Sequence, residues 1–181
     1  FTPAANYNGP VPLISYVVTD GSGLNDSSTL SITVTPTNDP PVNTVPAGQS
    51  IDEETSLFFS GANVISVNDV DGNLASTRLT VANGILTIGA LNGATISNGG
   101  NGTSSLTLSG SQAQINAALA TISYLPNPNF NGADTLTVLS TDSGATPLSD
   151  ADTVAITVTP VNDDFSDANE TISIAEDSGT T

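Results

Sequence analysis

The sequence of 181 residues predicts an all-β protein made of tandem Greek-key β-sandwich repeats, with one short helix in each repeat. Apolar residues make up 37 % of the chain, which is more than a disordered acidic chain normally carries, although the net charge is −17. The polar residues are mainly Thr, Ser, Asn and Gly, which suit exposed strand faces and tight turns. Several segments alternate polar and apolar residues, which is the pattern of half-buried strands.

Strand-like segments follow one another through the second half of the chain. TRLTVA (77–82) and ILTIG (85–89) flank Asn83-Gly84, the strongest short-range signal for a β-hairpin, so these two segments are predicted to pair. Alternation at period two predicts three further strands, in SLTLSG (105–110), DTLTVLST (134–141) and DTVAITVT (152–159). About seven or eight strands per repeat, separated by turn signals, are typical of a Greek-key sandwich.

One segment has a helical pattern instead. In SGSQAQINAALATISYL (109–125), Ile115 and Leu119 are four residues apart with alanines between them, and Ser111 is suited to cap the first turn. We therefore predict a short helix over about residues 111–120 that crosses between the sheets.

The chain also contains an internal repeat, because TPTNDPPV begins at residue 35 and TPVNDDFS at residue 159, 124 residues apart. Four further pairs of segments match: 1–9 with 124–132, 17–23 with 139–145, 24–39 with 148–163, and 50–55 with 173–178. The predicted organisation is the C-terminal part of a preceding repeat (1–39), a complete repeat (40–163) and the start of a following repeat (164–181). A unit of this size can bury its own core.

The composition excludes several classes of function. The chain has no Cys and no His, which excludes Ser–His and Cys–His catalysis and zinc sites built from those residues. Its one basic residue, Arg78, cannot neutralise a nucleic-acid backbone or an anionic lipid surface, and no apolar run approaches the ~20 residues of a membrane span. We therefore expect no nucleic-acid partner and no direct membrane insertion.

Catalysis by paired carboxylates is the remaining enzymatic possibility. Glu53 with Glu54, or Asp150 with Asp152, are pairs of the kind that glycoside hydrolysis uses. Neighbours on a strand point to opposite faces, however, and no aromatic residues cluster near either pair. We expect a protein that is not an enzyme.

Acidic and amide residues gather at the ends of the predicted strands. They are Asn38 and Asp39 at the repeat boundary, Glu53 and Glu54 in SIDEET (50–55), Asp69 and Asp71 in VNDVDGN (67–73), and Asp142 in STDSG (140–144). Calcium binds six to eight oxygen atoms from carboxylates, backbone carbonyls and Asn side chains. In DVDGN (69–73) two acids alternate on a tight turn and Asn73 adds an oxygen, so the pattern indicates calcium; a solvated Asp–Gly turn is the alternative.

The DVDGN loop and the boundary segment NDPPV (38–42) resemble those of the cadherin repeat and its bacterial relatives. The cadherin-like repeats of giant calcium-dependent surface adhesins of the repeats-in-toxin type look closest, and the resemblance covers the entire chain. It implies a cadherin- or immunoglobulin-like sandwich with Ca²⁺ between successive domains. The acidic LDRE-like segment of animal cadherins is missing, since YLPNPNFNG (124–132) has Asn127 and Asn129 at that place, so one or two ions per junction are expected.

The resemblance also implies which residues bind the metal. The upper junction of the complete repeat would use Asn38, Asp39, Asp69, Asp71, Asn73 and Asp142, and the lower junction Glu53, Glu54, Asn162 and Asp163. Asp20 corresponds to Asp142 in the preceding repeat.

We expect an extracellular or cell-surface structural and adhesive repeat, in which calcium at the junctions stiffens a rod or fibre that extends an adhesin in cell adhesion or a biofilm. Its partners would be neighbouring repeats of the same chain and possible further copies in a fibre or surface layer. Without the ion, mutual repulsion of the carboxylates would leave the linker mobile, whereas Pro40 and Pro41 stiffen it. A module of a secreted multidomain protein that binds carbohydrate or protein ligands is the alternative, although the chain lacks Trp for stacking on sugars.

Overall fold

The structure, a computed structural model, describes residues 1–162. Four short strands precede the predicted boundary: β1 (Gly9–Pro10), β2 (Ile14–Thr19), β3 (Asn25–Leu30) and β4 (Thr33–Val34). Strands β2 and β3 form an antiparallel hairpin, and β1 pairs with β4. Large apolar side chains of this hairpin, among them Ile14, Tyr16 and Leu30, are exposed.

The rest of the described chain forms eleven strands and a helix. The strands are β5 (Val42–Thr44), β6 (Gln49–Asp52), β7 (Leu57–Phe58), β8 (Ser66–Asn68), β9 (Leu74–Thr80), β10 (Gly84–Ile88), β11 (Thr95–Gly99), β12 (Ser105–Ser109), β13 (Ile122–Pro126), β14 (Gly132–Asp142) and β15 (Ser149–Thr159). A 3-10 turn, Gly61–Asn63, lies between β7 and β8, and helix α1 (Gln112–Leu119) between β12 and β13. No helix of residues 1–162 is long and apolar enough to cross a membrane.

These strands build a sandwich around a single apolar core. One sheet has six strands in the order β11-β12-β9-β14-β15-β6, a second has three in the order β10-β13-β7, and β5 pairs with β8. Every pairing is antiparallel except that of β6 with β15, which is parallel. Alternate residues of the long strands, such as Leu136 and Val138 in β14 and Val154 and Ile156 in β15, fill the core. The predicted all-β sandwich and the three strands predicted from alternation are confirmed.

The predicted helix is also confirmed. Ser111 caps α1: its side chain accepts a hydrogen bond from Gln114 N, and the Gln114 side chain accepts one from Ser111 N. Ile115 and Leu119 are fully buried. The helix joins β12 of the larger sheet to β13 of the smaller one, so it crosses between sheets as expected.

The predicted hairpin at Asn83-Gly84 is wrong. Strand β9 pairs with β12 and β14, whereas β10 pairs with β13 in the other sheet, so the chain crosses the sandwich at this step. The Asp134 carboxylate accepts hydrogen bonds from the N–H groups of Ala82 and Asn83 and holds the crossing in place. Gly84 is required by packing, because a Cβ there would lie 2.3 Å from Tyr124 Cε2. A local turn signal contains neither of these tertiary contacts.

Candidate metal centre at the repeat junction

Four side chains of the predicted upper junction form one chain of contacts. Asn38 Nδ2 donates to Asp142 Oδ2 at 2.8 Å, and Asn73 Nδ2 donates to Asn38 Oδ1 at 2.7 Å. Asn73 Oδ1 faces the Asp69 carboxylate, 2.9 Å from Oδ2 and 3.2 Å from Oδ1. Gly144 permits the approach of Asn38, since a Cβ there would lie 2.5 Å from Asn38 Oδ1.

This chain of contacts has one hydrogen-bond donor too few. Two amides lie between the carboxylates of Asp69 and Asp142, so three contacts share only two donors. Turning the Asn73 amide over lets it donate to Asp69, but its oxygen then faces Asn38 Oδ1 at 2.7 Å. In either orientation two oxygen atoms meet without a hydrogen between them, and both Asp69 and Asp142 are buried. Convergent oxygens of this kind are suited to a cation.

Asp39 and Asp71 lie beside this chain of contacts. Asp71 Oδ2 accepts a hydrogen bond of 2.7 Å from Asp39 N, which joins the linker to the DVDGN loop. Both residues line a cleft of about 280 Å³, and an adjoining cleft of about 430 Å³ is lined by Asn8, Asp71 and Asn73. Within residues 1–162 no three carboxylate, His or Cys side chains converge into a metal site by themselves. A cation at this junction would therefore depend on amide oxygens as well.

Asp142 has a second role that the sequence reasoning missed. Its Oδ1 accepts hydrogen bonds from Gly144 N and Leu148 N, both at 3.0 Å, and so caps the turn between β14 and β15. Burial raises the pKa of Asp142, but the hydrogen bonds from Leu148, Asn38 and Gly144 outweigh it and hold that pKa below its usual value. Asp20 caps the β2–β3 turn in the same way through Ser22 and Leu24, and its pKa is likewise lowered, chiefly by the Ser22 hydroxyl.

The residues predicted at the lower junction are only partly brought together. Glu53 is buried; its Oε1 accepts a hydrogen bond of 2.7 Å from Val161 N, and its Oε2 lies 3.4 Å from Asn131 Nδ2. Glu54 is exposed in a left-handed conformation with φ 62° and lines a different, apolar cleft. Asn162 follows Val161 directly, and Asp163 lies outside the described residues.

Two further carboxylates bind backbone groups near the ends of the repeat. Asp150 Oδ2 accepts a hydrogen bond of 2.7 Å from Asn43 N. Asp134 is buried and accepts four hydrogen bonds, from Ala82 N, Asn83 N, Thr135 N and the Tyr124 hydroxyl. Burial raises the pKa of Tyr124, and the contact with Asp134 raises it further. Sequence reasoning considered Asp150 only as half of a catalytic pair and did not single out Asp134.

Comparison with known proteins gives one family match and several similar solved structures. The family described as "Protein GAMETE EXPRESSED 2 domain" matches residues 63–148, just under half of the chain. Comparison with curated proteins gives no match. Extracellular cadherin domains 1–5 of protocadherin gamma B2 superpose with a TM-score of 0.51 at 14 % identity, over 86 % of this chain and 26 % of that one. Domains 3–6 of protocadherin gamma B7, described as a cis-dimer, give 0.47 at 19 % identity, over 86 % and 33 %.

This chain therefore spans about a quarter of the length of the gamma B2 structure. Its strand order and its superposition on those domains show that it has a cadherin-like β-sandwich fold.

Proposed function

We propose that this chain is a segment of an extracellular tandem-repeat rod whose joints are stiffened by calcium. The proposal rests on the shortage of one hydrogen-bond donor in the chain of contacts formed by Asp69, Asn73, Asn38 and Asp142. Calcium binds the oxygen atoms of carboxylates and amides at about 2.3–2.6 Å, so the two oxygens that meet here without a hydrogen between them are suited to share one ion.

Six side chains would supply the oxygen ligands at the upper junction. Asp69, Asn73 and Asn38 would supply the convergent oxygens, and Asp142 would add a carboxylate from the β14–β15 turn. Asp39 and Asp71 would add two more carboxylates from the adjoining cleft. At the lower junction, Glu53 or Glu54 would bind a cation together with the linker residues Asn162 and Asp163. When bound, calcium supplies a positive charge that both repeats share, and this charge offsets the repulsion among the carboxylates.

The repeat organisation is supported by the exposure of apolar side chains on one face of the β2–β3 hairpin. Alignment of the two hairpin turns on Asp20 and Asp142 matches Ile14 with Leu136 and Tyr16 with Val138. Leu136 and Val138 are completely buried, whereas Ile14 and Tyr16 are 43 % and 48 % exposed. This is the exposure expected if residues 1–39 are the end of a sandwich that other residues of the repeat complete.

The parent protein is proposed to be a cell-surface adhesin of the bacterial repeats-in-toxin type, acting in adhesion or biofilm formation. The support is the 124-residue period, the net charge of −17 and the matching boundary segments. The repeat would be non-catalytic, and its partners would be neighbouring repeats and other copies of the chain.

Calcium titration of the whole chain tests the proposal. We expect saturable binding in the range of about 10⁻⁴–10⁻³ M that extracellular calcium modules show, with NMR shifts confined to residues around Asn38, Asp69 and Asn73. Magnesium at the same concentration is the control, because it requires a stricter octahedral site. Absence of any calcium-dependent shift at these residues would contradict the proposed function. Shifts confined to exposed acids such as Asp26 would mean unspecific binding and would also remove it.

A further inference from the structure

The linkers on either side of the complete repeat are each held by a carboxylate of that repeat. We define the incoming linker as residues 37–43 and the outgoing linker as residues 161–162. Asp150 accepts a hydrogen bond from Asn43 N at the end of the incoming linker, and Glu53 accepts one from Val161 N at the start of the outgoing linker, both at 2.7 Å. Hydrogen bonds from N–H groups to carboxylates are stronger than those between neutral groups.

The incoming linker is fixed in the core as well as at the surface. Asn43 is buried; its Nδ2 donates to Asp150 O at 2.9 Å, and its Oδ1 accepts a hydrogen bond of 2.6 Å from the Ser140 hydroxyl. Ser140 in turn contacts the Thr77 hydroxyl at 3.0 Å, deep in the larger sheet. The side chain and the backbone of Asn43 are therefore both tied to β14 and β15.

The outgoing linker is fixed by the end of β6. Glu53 N donates to Thr159 O at 2.9 Å, which continues the parallel pairing of β6 with β15 by one step. The Glu53 side chain then reaches past Thr159 to Val161 N while Asn131 lies against its other oxygen. Glu53 is only 5 % exposed, so water competes little for these contacts.

Strand β15 sets the distance between the two anchor points. Asp150 is its second residue, and Val161 lies two residues beyond its end at Thr159. At about 3.3 Å per residue, the eleven residues of β15 span roughly 36 Å. One continuous strand thus links the place where the chain enters the repeat to the place where it leaves.

We propose that Glu53 and Asp150 are linker-positioning residues that fix the direction in which the chain enters and leaves each repeat without any metal. The hinge between repeats is then limited to the few residues between the end of β4 at Val34 and the start of β5 at Val42, where Asp39 N is already held by Asp71. Only this hinge is left for a cation to order. The inference rests on the proposed function in treating these segments as the joints of a rod, but its test is made without calcium.

Amide hydrogen exchange of the whole chain in a calcium chelator tests the proposal. We expect the N–H groups of Asn43 and Val161 to exchange at least about tenfold more slowly than unstructured amides. Glu53→Ala should raise the rate at Val161 about tenfold, whereas Glu53→Gln, which keeps an acceptor oxygen, should leave it within about threefold of wild type. Asp150→Ala and Asp150→Asn should behave in the same way at Asn43.

Asp26→Ala and Asp152→Ala are the control variants, each removing an acid outside the two linker contacts, and neither should change the two rates. Amides in the middle of β14 and β15 report whether a variant has loosened the whole repeat. Exchange of Val161 or Asn43 at the unstructured rate in the wild-type chain overturns the proposal, and this result does not depend on any variant folding. So does an unchanged rate at Val161 in Glu53→Ala.

Adding calcium afterwards separates the two proposals. If the linker amides are protected but do not respond to calcium, the positioning role of Glu53 and Asp150 is supported and the proposed calcium-stiffened rod is contradicted. If the linker amides are unprotected in a chain that binds calcium, the positioning role is contradicted and calcium binding at the junction is supported.

Discussion

Replacing Asp134 by Ala should destabilise the repeat more than any change to an exposed acid. The substitution removes the acceptor of four hydrogen bonds, from Ala82 N, Asn83 N, Thr135 N and the Tyr124 hydroxyl, at distances of 2.8–3.1 Å. Tyr124 is fully buried, so its hydroxyl is left with only a long contact of 3.3 Å to Asn83 O. The crossing between β9 and β10 loses the group that holds it.

The expected loss can be worked from these contacts. A buried donor without a partner costs about 1–3 kcal/mol, and the Tyr124 hydroxyl, which keeps only the long contact with Asn83 O, bears part of this cost. Ala82 is exposed and Asn83 is half-buried, so water replaces part of what they lose. A total of about 3–4 kcal/mol follows, which is near the value for breaking one side of a buried charged contact.

Chemical denaturation followed by circular dichroism measures this loss. Asp134→Asn keeps one acceptor oxygen and should cost about 1–2 kcal/mol, and Tyr124→Phe about 1 kcal/mol. Asp152→Ala, which removes an acid from the same face of the next strand, should stay within about 0.5 kcal/mol of wild type. A loss below about 1 kcal/mol for Asp134→Ala would refute the assignment of Asp134 as the residue that holds the crossing.

Three further outcomes are expected. Gly84→Ala should cost about 1–3 kcal/mol in denaturation, because the new Cβ would overlap the Tyr124 ring; Gly21→Ala, in open space, is the control, and equal effects would contradict the packing argument. Asn73→Asp should strengthen calcium binding in titration calorimetry and lower the melting temperature in chelator, because a third carboxylate joins Asp69 and Asp142; unchanged affinity would argue against Asn73 as a ligand. Since the pKa of Asp142 is held below its ordinary 3.8, its contribution to stability is present above pH ~4 and is lost as the pH falls through the lowered value. Asp142→Asn should therefore flatten the acid limb of a stability–pH curve, and an identical limb in both proteins would show that this pKa is not lowered.

The strands and the helix could be predicted because their signals are local and agree with the tertiary structure. Alternation in β12, β14 and β15 reflects one buried face, and Ser111 and Gln114 complete a cap within a single turn. The step at Asn83-Gly84 could not be predicted in this way. Its conformation is set by Asp134 and Tyr124, which are about 40 to 50 residues away along the chain.

The residues of the candidate site were named from the sequence through the family resemblance, but their arrangement was not. Asn38, Asp69, Asn73 and Asp142 lie in one chain of contacts, and their binding of a metal stays a prediction. No pattern in the sequence indicated that Asp142 also caps a turn, or that Glu53 and Glu54 point to different surroundings. These features depend on backbone conformation, namely the left-handed φ of Glu54 and the course of the chain after Thr159.

The parallel pairing of β6 with β15 has a mechanical consequence. In the proposed rod, the repeat is attached to its neighbours through its first and last residues, so a stretching force would pull β6 back toward the N-terminus and β15 forward toward the C-terminus. The four residue pairs from Ile156–Gln49 to Thr159–Asp52 are then loaded in shear and must give way together instead of opening one by one. Part of the resistance to pulling would therefore come from a short patch of backbone hydrogen bonds at the edge of the larger sheet, in addition to the contact of Asn43 with Asp150, and Glu53 extends that patch by one residue.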